Sequence, residues 1–88
     1  AAKILGAPDL VVEVQSPKPR VGRVEEKVTW FARYGVRECW LVDLPRRQVA
    51  VLVFCDGRVA HRALVEAEQP IQSVVLEGIQ LRPADLFG

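Results

Sequence analysis

Glu13 stands in the middle of an apolar run, Leu10-Val11-Val12-Glu13-Val14, and Lys27 lies downstream in a segment of helical periodicity. A carboxylate on a strand and an ammonium on the next helix suit phosphate chemistry. The carboxylate offers hard oxygens to a divalent cation such as magnesium. That cation polarises a phosphoryl oxygen and lowers the pKa of a bound water. The ammonium can orient the attacking water or stabilise developing negative charge. A strand this apolar is expected to be buried on both faces. A carboxylate there is costly unless it is paired, hydrogen-bonded or metal-bound. The plainer alternatives stay open: a salt-bridged strand acid at Glu13, and a solvated lysine paired with a nearby glutamate at Lys27.

The neighbours of Glu13 have limited reach. Asp9 shares its face, but four residues of strand span ~13 Å, too far for one ion. Asp9 therefore reads as a strand-opening or turn residue. Gln15 lies two residues beyond Glu13 on the same face, at ~7 Å. Its amide can orient a water or touch a phosphate, but carries no charge. Arg20, Arg23 and Lys27 form a candidate basic stripe for a nucleic-acid backbone, and no acid interrupts the chain between Lys18 and Arg23. Trp30, Tyr34 and Trp40 could stack on bases, although core or dimer-interface positions fit them better. His61 has no companion histidine and reads as a surface or edge residue. No nucleophile motif or phosphate-cradling glycine loop is present.

The elements that hold these residues follow from periodicity. Residues 10–14 form the first strand, which Ser16-Pro17-Lys18-Pro19 ends, because proline lacks the ladder donor. Residues 21–34 read as a helix with Val21, Val24, Val28 and Phe31 on its packed face. Gly35 stops it. Residues 38–43, 48–54 and 58–65 read as strands, with Asp56-Gly57 as a hairpin turn between the last two. A short apolar run follows at 74–76, and 79–81 reads as a last short strand. Residues 83–87 form a terminal helical turn that covers the core with Leu86 and Phe87. The first two strands, joined by a helix, are expected to be parallel with a right-handed crossover. The remainder is antiparallel. The fold class is α/β with a mixed α+β sheet: strand, helix, strand, then an antiparallel meander.

The 88 residues, half of them hydrophobic, suggest one small domain of marginal stability, for which dimerisation would help. The net charge of +1 decides little. Cys39 and Cys55 match neither a zinc site nor a disulfide framework, so free thiols and a cytoplasmic location are expected. No apolar run approaches the ~20 residues of a membrane span, and no secretory signal is visible. The chain has no methionine and opens almost directly into the Glu13 strand, which suggests a processed or truncated start.

As a combined pattern the chain resembles the second half of the Uma-type family of restriction-endonuclease-like bacterial proteins, within the PD-(D/E)XK nuclease superfamily. The resemblance rests on Pro8-Asp9-Leu10-Val11-Val12-Glu13-Val14 with Ser16-Pro17, and on Glu26-Lys27 with Tyr34-Gly35-Val36. It continues through Glu38-Cys39-Trp40-Leu41-Val42-Asp43 to Leu86-Phe87. It implies a restriction-endonuclease-like core in which strand acids bind magnesium, with manganese as a substitute. Glu13 matches the acid of the (D/E)XK strand. Gln15 stands at the lysine position of that motif, and Lys27 matches the lysine that the family carries on the following helix. The family's other metal-binding aspartate lies on an upstream strand that this chain lacks. The resemblance therefore implies a truncated, partial domain over 1–88, with weak or no metal-dependent DNA endonuclease activity. A non-catalytic remnant acting by homodimerisation or partner binding is the rival expectation.

Overall fold

The computed structural model describes residues 9–15 and 23–87. Its elements are β1 (Leu10–Val14), α1 (Arg23–Arg33), β2 (Glu38–Asp43), β3 (Gln48–Cys55), β4 (Arg58–Glu66) and α2 (Pro83–Leu86). The strands form one mixed sheet in the order β1-β2-β3-β4. β1 and β2 run parallel, with Glu13 opposite Leu41, as a strand pair joined through a helix requires. The other two pairings are antiparallel.

Alternation divides the sheet into two faces. One face carries Val11, Cys39, Leu41, Leu52 and Phe54, and α1 packs on it through Val28, Phe31 and Ala32. Burying Val28 and Phe31 contributes about 1.5–3 kcal/mol each. α1 opens with Glu25 and Glu26 and ends with Arg33, charges that suit its dipole. Gly35, at φ 86°, closes the helix. The Val36 amide donates to the Phe31 carbonyl at 3.1 Å and the Gly35 amide to Ala32 at 3.4 Å, the bond pattern of a Schellman cap.

The opposite face carries Trp40, Val42, Val49, Val51 and Val65, covered by Ile71, Leu81 and Phe87 of the C-terminal segment. The expected strand at 79–81 does not form. This segment crosses the sheet face rather than adding to an edge, so its side chains pack while its backbone makes isolated contacts. The Ile71 amide donates to Leu81 at 2.8 Å, and the Ile79 amide to Leu76 at 3.2 Å. α2 buries Pro83, and Phe87 is half-buried; Leu86, expected in the core, is exposed.

The β3–β4 hairpin turns on Asp56 and Gly57, with φ of 52° and 76°. Positive φ at both central residues is the type I′ geometry whose twist matches the flanking strands. The register slips by one residue between Val53 and Phe54, a bulge that leaves Ala60 unpaired. β3 and β4 each run one residue beyond the expected ends. The outer strand β4 presents Arg58, His61 and Arg62 to solvent, charges and polar groups that blunt a free edge.

β1 corrects a sequence-based expectation. It is an edge strand, not one buried on both faces: Val12 and Val14 are 47% and 58% exposed. The local sequence is apolar enough for a central strand, but only β2 flanks it among the described residues.

Candidate functional site

Glu13 and Lys27 meet. β1 directs Glu13 to the face that α1 covers, and α1 places Lys27 on the flank of its buried stripe, beside β1. The Lys27 Nζ donates to Glu13 Oε1. The two side chains are 45% and 29% exposed, so the pair is partly solvated. The expectation of a fully buried glutamate at 13 is therefore corrected, whereas its convergence with the helical lysine is observed. An ion pair this open is worth little as a stabiliser, ~0–1 kcal/mol.

The Glu13 charge is felt by its surroundings. The Cys39 thiol, on the neighbouring strand and the same face, has its pKa pushed up to about 12, chiefly by burial and then by the nearby Glu13 carboxylate. Cys39 is a free, buried thiol and Cys55 a free, exposed one, in line with the sequence reading.

Gln15 also faces α1 and lines a groove of about 260 Å³ at the base of the helix, together with Glu25, Asp43, Arg46 and Arg62. Its backbone amide extends the strand pairing, donating to Val42 at 2.9 Å. Asp43 was not singled out from the sequence. The signal was present, since Asp43 alternates with Cys39 and Leu41 along β2. It accepts from the Arg46 amide at 3.2 Å and pairs with the Arg46 guanidinium at 3.8 Å.

Asp9 lies at the far end of β1, where its carbonyl accepts from the Arg37 and Glu38 amides and its carboxylate pairs with Arg37 at 3.7 Å. It is a strand-opening residue, as its distance from Glu13 implied. Arg20 lies outside the described residues, and of Arg23 only the helical backbone is described. Trp40 is a core residue, whereas Trp30 on α1 and Tyr34 just past its end are exposed. That overturns a core position for both: their places fall outside the helical stripe that meets the sheet.

The acid that sequence reasoning missed is Glu38. It is fully buried on the face opposite α1. Its Oε2 accepts from the Trp40 indole at 2.5 Å and from the Ser73 hydroxyl at 2.7 Å. Its Oε1 accepts from the Val74 and Val75 amides at 2.7 and 3.2 Å. A carboxylate has about four acceptor sites, so none is left for a ligand. Glu38 is a structural tie between β2 and the C-terminal segment.

Among the described residues no helix is long and apolar enough to cross a membrane, and no group of three or more His, Cys, Asp or Glu converges as a metal cluster would.

Comparison with known proteins agrees with this layout. A solved structure described as a nuclease, "Crystal structure of a putative nuclease belonging to DUF820 from Anabaena variabilis ATCC 29413", is similar to the chain with a TM-score of 0.74 at 22% identity. The match covers 94% of this chain and 45% of the other, so the chain spans less than half of that structure's length. At that identity the likeness establishes the fold. No curated protein matches the sequence. The family profile described as "Uma2: Putative restriction endonuclease" matches residues 2–84, nearly the whole length over which the Glu13 strand, the Lys27 helix and the meander are laid out, and the chain belongs to that family.

Proposed function

We propose that this chain is a nuclease-like domain whose chemistry is metal-dependent hydrolysis of DNA phosphodiesters, centred on Glu13 and Lys27. The observation that carries the reading is the pairing of those two side chains, from different elements, at a partly open site. Glu13 would hold magnesium, with manganese as a substitute, and Gln15 would supply a polar contact along the same face. The Glu13 carboxylate offers the hard oxygens that magnesium takes. Such an ion, when bound, supplies Lewis-acid activation of a phosphate and its water. Lys27 holds its ammonium at the Glu13 carboxylate, where it can orient a water or offset charge on a phosphate oxygen. Arg20 and Arg23, with Lys27, would follow the nucleic-acid backbone.

One carboxylate is a thin donor set, so the 88-residue chain is proposed to be weak or inactive as a nuclease. In this reading it is the C-terminal half of a PD-(D/E)XK unit. The second carboxylate then comes from an upstream strand, placed against the free edge of β1. The 45% coverage of the similar structure fits a partial unit.

Manganese titration by calorimetry tests the assignment. Glu13→Gln is expected to abolish the binding seen in the parent chain. Lys27→Met is expected to strengthen metal binding, because it removes the cation already held by Glu13, while lowering any cleavage. Metal affinity unchanged in Glu13→Gln overturns the proposal.

A second reading is favoured by the exposed Val12 and Val14 on the edge strand β1. An uncovered apolar edge pairs readily with another strand. In that reading the chain acts by homodimerisation through β1. A purely monomeric species at micromolar concentration in sedimentation counts against it.

A further inference from the structure

We infer that the exposed edge of α1 is a stacking platform for the bases of a single nucleic-acid strand, built from Trp30 and Tyr34 and continuous with Lys27. The inference rests on the nuclease reading above and adds the form of nucleic acid that the site engages. Lys27, Trp30 and Tyr34 follow one another at three- and four-residue spacing, so they share one edge of the helix. That edge starts at the Glu13–Lys27 pair.

The two rings are placed as a pair. Trp30 and Tyr34 are 50% and 60% exposed, although each is a large aromatic that burial would stabilise. Their centroids are 4.3 Å apart with planes tilted by 35°. Phe31 meets the Trp30 ring edge-on at 5.9 Å and anchors it to the core. The result is a fixed aromatic surface open to solvent. Aromatic faces accept any base, and stacking is sequence-tolerant for that reason.

Two cations lie toward the Tyr34 end of the rings, while Glu26 precedes Trp30 by one turn. Arg33, in the last turn of α1, makes no ion pair with another described residue. Arg37, just beyond the helix, holds only a loose pair with Asp9 at 3.7 Å. The spacing also fits: at ~1.5 Å per residue Trp30 starts ~4.5 Å along the helix axis from Lys27, so a base on the paired rings stands within one or two nucleotides of a phosphate at Lys27. Bases inside a duplex do not offer their faces, so the partner is a single strand or a frayed end.

The chain contains two tryptophans, and Trp40 is buried out of reach of an added strand, so quenching of indole emission by stacking reports on Trp30. The 88-residue chain is titrated in EDTA with ten-nucleotide dT and rU strands and with a ten-base-pair duplex. Binding is followed by Trp emission and by anisotropy of labelled strands. Saturable quenching by either single strand, with weaker binding of the duplex, is expected. Trp30→Ala and Tyr34→Ala are expected to weaken single-strand binding on the order of tenfold or more, and Trp30→Phe to retain most of it. Glu13→Gln is expected to bind the strand at least as well as the parent. This separates failure of the platform from failure of the metal site. Unchanged affinity in both alanine variants overturns the inference, as does a duplex bound as tightly as the single strand. A parent dimer in sedimentation that Trp30→Ala dissolves also overturns it, because the rings then cover a second copy of the chain.

Discussion

Replacing Glu38 with glutamine tests the buried network with the least change of shape. The carboxylate accepts four hydrogen bonds, two at each oxygen. A carboxamide keeps one oxygen and puts an NH2 group in place of the other. If the NH2 takes the Oε1 position, it faces two backbone N–H donors that cannot turn away. If it takes the Oε2 position, the Ser73 hydroxyl can rotate to accept, but the Trp40 indole N–H loses its acceptor. The second arrangement is cheaper and leaves one orphaned buried donor, at about 1–3 kcal/mol. The surviving bonds also lose their charged acceptor, and charge-assisted bonds are roughly twice as strong as neutral ones. Relief of the cost of burying a charge offsets part of that loss. The net expectation is a destabilisation of about 2–4 kcal/mol.

That loss is large for this chain. At about 0.05–0.15 kcal/mol per residue, 88 residues carry roughly 4–13 kcal/mol. The midpoint of thermal unfolding should fall on the order of 10–25 °C. Urea unfolding followed by circular dichroism and by tryptophan emission measures it, and Trp40 emission should shift because its indole bond is broken. Ser73→Ala removes one donor and should cost about 1 kcal/mol. It also removes the acceptor of the Leu76 amide, held at 2.9 Å. A Glu38→Gln variant within about 0.5 kcal/mol of the parent would refute the reasoning, because no orphaned donor could then exist.

Alkaline pH should unfold the chain through Cys39. Its folded pKa is raised from 9.0 to about 12, so above pH 9 the unfolded state releases a proton that the native state keeps. Stability then falls by about 1.4 kcal/mol per pH unit across that window; denaturant titrations at stepped pH should show the slope in the parent and its loss in Cys39→Ala. A thiol reagent at neutral pH should label the exposed Cys55 at once and Cys39 only as fast as the fold opens. Gly57→Ala should cost about 1–2 kcal/mol through its left-handed backbone alone, since the added Cβ would meet nothing nearer than the Ala32 carbonyl oxygen at 4.0 Å; chemical denaturation gives the value, and a neutral effect would deny the type I′ turn.

Much of the scaffold is legible in local sequence because its signals are local. The period of Val24, Val28 and Phe31 marks α1, Gly35 marks its end, and Asp56-Gly57 marks the hairpin. The pairing of Glu13 with Lys27 was legible because strand and helix periodicity each assign a side chain to a face. What stayed hidden depends on partners remote in the chain. The edge position of β1 reflects which strands flank it, and an apolar pentapeptide does not carry that information. The donors to Glu38 come largely from residues 73–75, and two of them are backbone amides, which no residue pattern announces. The contrast between Trp30 and Trp40 follows from which face each element turns to the sheet.

The two glutamates show why depth of burial is a poor guide to a carboxylate open to exchange of partners. Sequence reasoning places the costly buried acid at 13, but the structure places it at 38. Glu38 is compensated by four donors. A cation could enter only by breaking them, at a cost of several kcal/mol. Glu13 is held by one flexible lysine at a half-open surface, and that bond contributes ~0–1 kcal/mol. A divalent cation or a phosphate can displace or share such a partner with little loss to the fold. The carboxylate with an exchangeable partner therefore lies on the α1 face, and the face under the C-terminal segment holds the sheet in shape.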